Sequence, residues 1–213
     1  MKTRPIQSKK RYLISFIIAV VIFALIFGIS YSISYLEFQR VSNLQDQSAY
    51  QIFEDKIAQS FFKGNLCSYE SFDKISQDLN FQGRMIEEME KKFGKNDASV
   101  LFRKKFYTLV QLEHFDFVNL INKNCNVTNQ VILFFYSNNP DETKDSERVG
   151  NLIGFVATKY PNLMVYSFDL NLESNLISNL KKKYNITKSP SLIVENNFIF
   201  DPQNSDEIEE YLN

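Results

Sequence analysis

The chain has 213 residues, with 24 Lys and Arg against 25 Asp and Glu, 20 Phe, 11 Tyr, no Trp, two Cys and one His. A near-neutral balance without a basic stripe argues against nucleic-acid binding. One imidazole and two distant thiols exclude a zinc site, no motif calls for a cofactor, and the aromatic content promises a packed core.

Five cations (Lys2, Arg4, Lys9, Lys10, Arg11) and no acid occupy residues 1–11, and residues 12–36 then run without a charge. As a helix at ~1.5 Å per residue this run reaches ~37 Å, enough to cross a ~30 Å hydrocarbon layer. A secretory signal has a shorter apolar region of ~7–15 residues and a small-x-small cleavage site. Here the run is longer and ends in Gly-Ile-Ser-Tyr-Ser-Ile-Ser-Tyr. An uncleaved transmembrane signal anchor is therefore preferred to a cleaved signal or a buried core helix. The basic flank makes residues 1–11 a cytoplasmic tail and sends residues 37–213 to the outer side of a single-pass cell-membrane protein. That exported part carries 19 basic against 25 acidic residues, a net of −6, which reads as a solvated surface.

Residues 37–125 show helical periodicity and form an extracytoplasmic helical domain, a helical hairpin or three-helix region. The anchor continues into it or hinges near residues 37–47. Ala49, Phe53, Ile57 and Phe61 recur every four positions, and Gly64-Asn65 stops that first helix. Phe72, Ile75, Leu79, Gln82, Ile86, Met89 and Phe93 follow at 3-4 spacing, with Ser68 as N-cap and Gly94 as C-cap. Asn96 or Asp97 starts a third helix whose apolar positions are Phe102, Phe106, Leu109, Val110, Phe117, Leu120 and Ile121, fading at Asn122-Lys123-Asn124. Packing within one chain is the preferred reading of the 72–93 seam; a coiled-coil stalk that makes homo-oligomers is the other. His114 reads as a surface or boundary residue, not a catalytic base. Cys67 precedes the second helix and Cys125 follows the third. In an up-down arrangement those points share one end of the bundle, so a Cys67–Cys125 disulfide is expected in an exported domain, with two separate buried thiols as the alternative.

Residues 126–213 change grammar. Residues 131–137 (VILFFYS) read as a buried strand, 146–159 as a helix and 163–170 as a second strand. A helix over 172–184 ends in Lys181-Lys182-Lys183, cations suited to a helix C-terminus. A strand over 191–195, a two-residue Asn196-Asn197 turn, a strand over 198–200 and a closing helix over 205–212 complete a β-α-β-α-β-β-α order. Residues 184–200 (YNITKSPSLIVENNFIF), with Pro190 before a hairpin, and SFDLN (167–171), a strand with a trailing acid, resemble the thioredoxin-like superfamily over about 40% of the chain. The resemblance implies an α/β fold in which Pro190 is the cis-proline and a C-x-x-C motif follows the first strand. Here that place reads YSNNPDETKDSERVG, the two cysteine positions falling near Pro140 and Thr143, and no cysteine lies beyond Cys125. Dithiol exchange by the family mechanism is then impossible, and Ser137, inside the strand end, gives no support for a serine substitute.

The resemblance leaves one usable surface: Lys188, Ser189 and Pro190, with residues 138–142 opposite, as a peptide-binding loop. The plainer reading is that Pro190 only shapes the turn before the hairpin. The expected function is a membrane-anchored, redox-inactive adaptor or chaperone-like module for an envelope protein or folding client, and not an enzyme. A thiol–disulfide oxidoreductase using Cys67 and Cys125, and a structural stalk, are the alternatives. Two Asn-x-Thr triplets, at Asn126 and Asn185, lie beyond the anchor, Asn126 being the favoured glycan acceptor of the two.

Overall fold

The computed structural model describes residues 11–33, 35–36, 67, 71–125 and 127–212. The chain divides into two compact units, residues 1–56 and 57–213. Within the first, helix α1 (Arg11–Ile33) is long and apolar enough to cross a membrane. Its large apolar side chains are exposed all round, Phe16, Phe23 and Phe27 among them, as suits a helix solvated by hydrocarbon instead of by a protein core. The expected first helix of the exported part (residues 49–61) and the Ser68 cap lie outside the described residues.

The second unit begins with an antiparallel helical pair. Helix α2 (Ser71–Phe93) ends at Gly94, whose φ of +93° is the left-handed conformation that a glycine C-cap supplies. Asp97 then caps α3 (Ala98–Asn124), its side chain accepting from the Ser99 N–H at 2.9 Å. Both caps fall where the sequence places them. Burial along the helices follows the expected apolar lists only in part. Leu79, Val110, Phe117 and Ile121 are buried, whereas Phe93, Phe102 and Leu109 are exposed. The reason lies in α3, whose inward stripe carries Lys104, Thr108, Gln111 and His114, spaced 4, 3 and 3 apart. Polar groups hold the position an apolar face would take.

Four strands and three helices follow: β1 (Gln130–Tyr136), α4 (Thr143–Lys159), β2 (Leu163–Asp169), α5 (Asn175–Lys183), β3 (Ser191–Val194), β4 (Asn197–Phe200) and α6 (Asp206–Glu209). The sheet order is β2-β1-β3-β4. Strands β1 and β2 are parallel in the register Gln130↔Leu163 to Tyr136↔Asp169; β3 is antiparallel to β1, and β4 to β3. This is a mixed α/β sheet in the expected element order. Alternation along the strands gives it two apolar faces. On one, Ile132, Phe134, Leu192 and Val194 pack with Val149, Ile153 and Val156 of α4 and with Ile208 of α6. On the other, Phe135 and Phe168 lie 5.4 Å apart, and Tyr184 at the end of α5 meets Phe135 at 6.0 Å.

Most strand and helix ends move by one to three residues; β1 ends at Tyr136, so Ser137 falls just past the strand and not inside its end, and three other shifts have a local reason. Helix α4 starts three residues before the expected Ser146, because the Thr143 N–H and hydroxyl both bond the Asn139 carbonyl. Helix α5 starts at Asn175, because the Ser174 side chain accepts from the Leu176 N–H, leaving Leu172 buried in the preceding turn. The hairpin turn is Glu195-Asn196, one residue before the expected pair. Val194 pairs with Asn197, and both turn residues have positive φ, +47° and +73°, the geometry that matches the twist of a two-residue hairpin.

Candidate functional site

The C-terminal ends of β1 and β2, where parallel strands of α/β proteins commonly offer a crevice, carry a buried polar centre. Lys104 of α3 reaches Asp169, the last residue of β2, at 2.7 Å, and also pairs with Glu90 of α2. Lys104 and Asp169 are each 3% exposed. Asn138, just past β1, donates to the same Asp169 oxygen at 2.7 Å. Asp169 Oδ1 accepts from the Asn171 N–H at 2.9 Å, so both carboxylate oxygens are committed to bonds within the protein. Burial, then the negative charges of Asp169 and Glu90, hold the Tyr136 hydroxyl well above its usual range, and burial pushes Tyr107 up to about 12. Both phenols therefore stay neutral at any ordinary pH. The Lys104 ammonium also lies 5.5 Å from the centre of the Tyr136 ring.

A cavity of about 710 Å³ opens above this centre, walled by α2, α3, the start of α4 and the β1–α4 loop. Lys95 and Glu147 bridge its rim at 2.9 Å. A Cβ at Gly83 on the α2 wall would come to 2.9 Å from the Tyr107 hydroxyl, so a larger residue there displaces the tip of that side chain.

The Lys188–Pro190 segment lies on the far side of the β1–α4 loop. The Ser189–Pro190 peptide bond is cis. The Ser189 hydroxyl meets the Ser146 hydroxyl at 3.1 Å, and Ser146 Oγ accepts from the Ser137 N–H at 3.1 Å. A second bond set runs from Asn171 Oδ1 to the Ser137 hydroxyl and the Asn138 N–H, at 3.0 and 2.6 Å. The loop holding residues 138–142 is thus pinned to both the Pro190 segment and the end of β2. Pro190 is buried, Ser189 half-buried and Lys188 exposed, with the Lys188 ammonium 5.6 Å from the centre of the Phe200 ring. Below Pro190, its carbonyl accepts from the Asp201 N–H at 3.1 Å, and Arg148 of α4 pairs with Asp201 and donates to the Pro202 carbonyl at 2.6 Å. The Ser189 N–H and C=O make no backbone hydrogen bond among the described residues.

The cysteines behave as the up-down geometry requires: Cys67 and Cys125 form a disulfide, with Cα atoms 5.4 Å apart. Cys125 ends α3 five residues before β1, so the bridge is at the opposite end of that strand from Pro190, which precedes the residue paired with Phe135.

His114 corrects the sequence reading. It is 3% exposed, not a surface or boundary residue. Its Nδ1 lies 2.8 Å from the Tyr166 hydroxyl and its Nε2 3.0 Å from the Ser76 hydroxyl, so it bridges β2 and α2. Burial pushes its pKa down to about 4. Lys104 and Gln111 are buried as well, although amphipathic reasoning assigns a polar 104-108-111-114 stripe to solvent. Neither a protein-family model nor a curated protein sequence matches this chain.

Proposed function

We propose that the chain is a membrane-anchored protein whose exported domain has a thioredoxin-like arrangement without redox thiols and serves as a protein-binding adaptor. Support for the arrangement comes from the strand order β2-β1-β3-β4, with helices on both faces and Ser189-Pro190 directly before β3. Support for the adaptor role comes from one observation above others. Ser189 keeps its main-chain N–H and C=O outside the backbone bonding of the described residues, while its side chain is fixed against Ser146. Such a fixed segment can pair with an extended client chain, whose main chain supplies affinity and whose side chains supply selectivity. Residues 138–142, beside the positions near Pro140 and Thr143 where the resembled redox proteins carry their thiols, form the opposite lip.

The test uses the full-length protein in its own membrane, with a photo-crosslinking residue placed at Lys188 or Asn139 and, as control, at the exposed Lys182. Discrete adducts from the first two sites and not from Lys182 are expected; equal or absent labelling at all three refutes the adaptor reading. The oxidoreductase alternative rests on Cys67, which is exposed and bonded to Cys125. Insulin reduction that disappears in the Cys67→Ala/Cys125→Ala double variant would replace the adaptor with an enzyme.

A further inference from the structure

The triplet Asn185-Ile186-Thr187 lies in the connection between α5 and β3. Its backbone is set by the helix end: the Ile186 N–H bonds the Lys181 carbonyl at 2.8 Å and the Asn185 N–H bonds the Lys182 carbonyl at 3.4 Å. This pair of bonds closes a helix through one left-handed residue. Asn185 is that residue, with φ +53°, a conformation asparagine tolerates better than most side chains. Helix closure accounts for the asparagine, but it makes no demand on position 187. Asn185 and Thr187 are both exposed, and neither side chain is hydrogen-bonded among the described residues. The amide and the hydroxyl that an acceptor triplet needs are therefore both uncommitted, on a surface loop.

We infer that Asn185 is a site of N-linked glycosylation, a reading that rests on the outward-facing placement of residues 37–213. The donor is a lipid-pyrophosphate-linked oligosaccharide. Asn185 Nδ2 forms a bond to the anomeric carbon, the carbon–oxygen bond to phosphate breaks, and the lipid pyrophosphate leaves with the electron pair. The amide proton passes to a carboxylate of the transferase. Ile186, between the two reacting positions, is 3% exposed, and its side chain holds the triplet against the fold. Transfer therefore accompanies export, before the α5–β3 region packs.

The experiment takes full-length protein from the membranes of the cells that make it and sequences the proteolytic peptide spanning residues 185–187 by mass spectrometry. Sugar-sized mass increments on Asn185 are expected. Thr187→Ala keeps asparagine at the left-handed position and removes the acceptor triplet, so it removes the part of the electrophoretic shift due to Asn185, as does Asn185→Gln, whereas Thr187→Ser retains it. Three outcomes overturn the inference: recovery of the peptide only at its unmodified mass, a mobility that Thr187→Ala leaves unchanged, or sugar confined to Asn126. Protease treatment of intact cells separates the two premises. An unmodified Asn185 in a domain digested from outside refutes the glycan alone, while a protected domain refutes the outward placement and the glycan together.

Discussion

Replacing Lys104 by Met removes the cation that pairs with both Asp169 and Glu90 among the described residues, while preserving most of the side-chain volume. Asp169 and Lys104 are each 3% exposed, and the Glu90 side chain is 17% exposed. Both carboxylates then lose their cation, and Asp169 keeps the Asn138 side chain and the Asn171 N–H as donors. Breaking a buried pair from one side costs about 3–5 kcal/mol, because the partner's charge is left uncompensated. At ~2–4 °C per kcal/mol for a unit of this size, the midpoint of thermal unfolding falls by roughly 6–20 °C. Asp169→Asn leaves Lys104 facing Glu90 and costs less. The Lys104→Met/Asp169→Asn double variant loses less than the sum of the singles by at least ~1 kcal/mol, because the groups share one network. Thermal unfolding of the detergent-solubilised protein, followed by circular dichroism at pH 7, measures all of this. A Lys104→Met variant within ~0.5 kcal/mol of wild type at pH 7, or strictly additive single and double variants, would refute the reasoning.

His114 makes stability depend on pH. The unfolded chain takes up its proton near 6.5, while the folded one resists until about 4. The contribution is complete above pH 6.5 and drains away as pH falls through that window, by about 3 kcal/mol in all. His114→Gln should flatten unfolding curves between pH 4 and 6.5, and an unchanged slope counts against His114 as the titrating group. Gln111→Leu leaves the Ser167 N–H and C=O without the partners they have at 2.6 and 2.9 Å, costing about 2–4 kcal/mol. Its first readout is faster hydrogen exchange at the Ser167 amide, and unaltered protection would sink the idea. Cys67→Ala/Cys125→Ala opens a bridge of sequence separation 58, which loop entropy values at about 4 kcal/mol. Chemical denaturation of the two proteins without reductant measures it, and equal midpoints would remove the bridge from any account of stability.

Elements set by local chemistry were legible in the sequence. Gly94 and Asp97 fix a helix end and a helix start through their own backbone and side-chain geometry, and β1 is an apolar run that nothing polar interrupts. The cysteine pairing was legible for a topological reason, since an up-down helix pair brings its ends together. Places where tertiary structure overrides local preference were not. The turn at Glu195-Asn196 is selected by the pairing of Val194 with Asn197, and no property of Glu195 itself favours its φ of +47°. The candidate site divides in the same way. Pro190 announces itself as a chain-geometry residue, but Lys104 acquires its role from Asp169, 65 positions away, and from Glu90 on the neighbouring helix.

The buried polar stripe of α3 also bears on where a partner can add to the sheet. Strand β2 is an edge in the order β2-β1-β3-β4, and an open edge invites pairing with another chain. Gln111 closes it by offering one donor and one acceptor to the backbone of Ser167, the two bonds a neighbouring strand residue would make. Lys104 on one side and His114 on the other hold α3 along β2 through Asp169 and Tyr166. An apolar stripe would pack there equally well but would leave the strand's polar groups unpaired, at a cost comparable to lost hydrogen bonds. Strand β4, at the other edge, has Phe198 and Phe200 exposed, and Lys188 lies against Phe200. Among the described residues, α3 therefore covers the β2 edge at Ser167, while the β4 edge beside Lys188 carries exposed side chains. An extended client taken up by this domain is expected to approach from that side, and a crosslinker on the outer face of α3 at Lys105 should capture nothing that the Lys188 position captures.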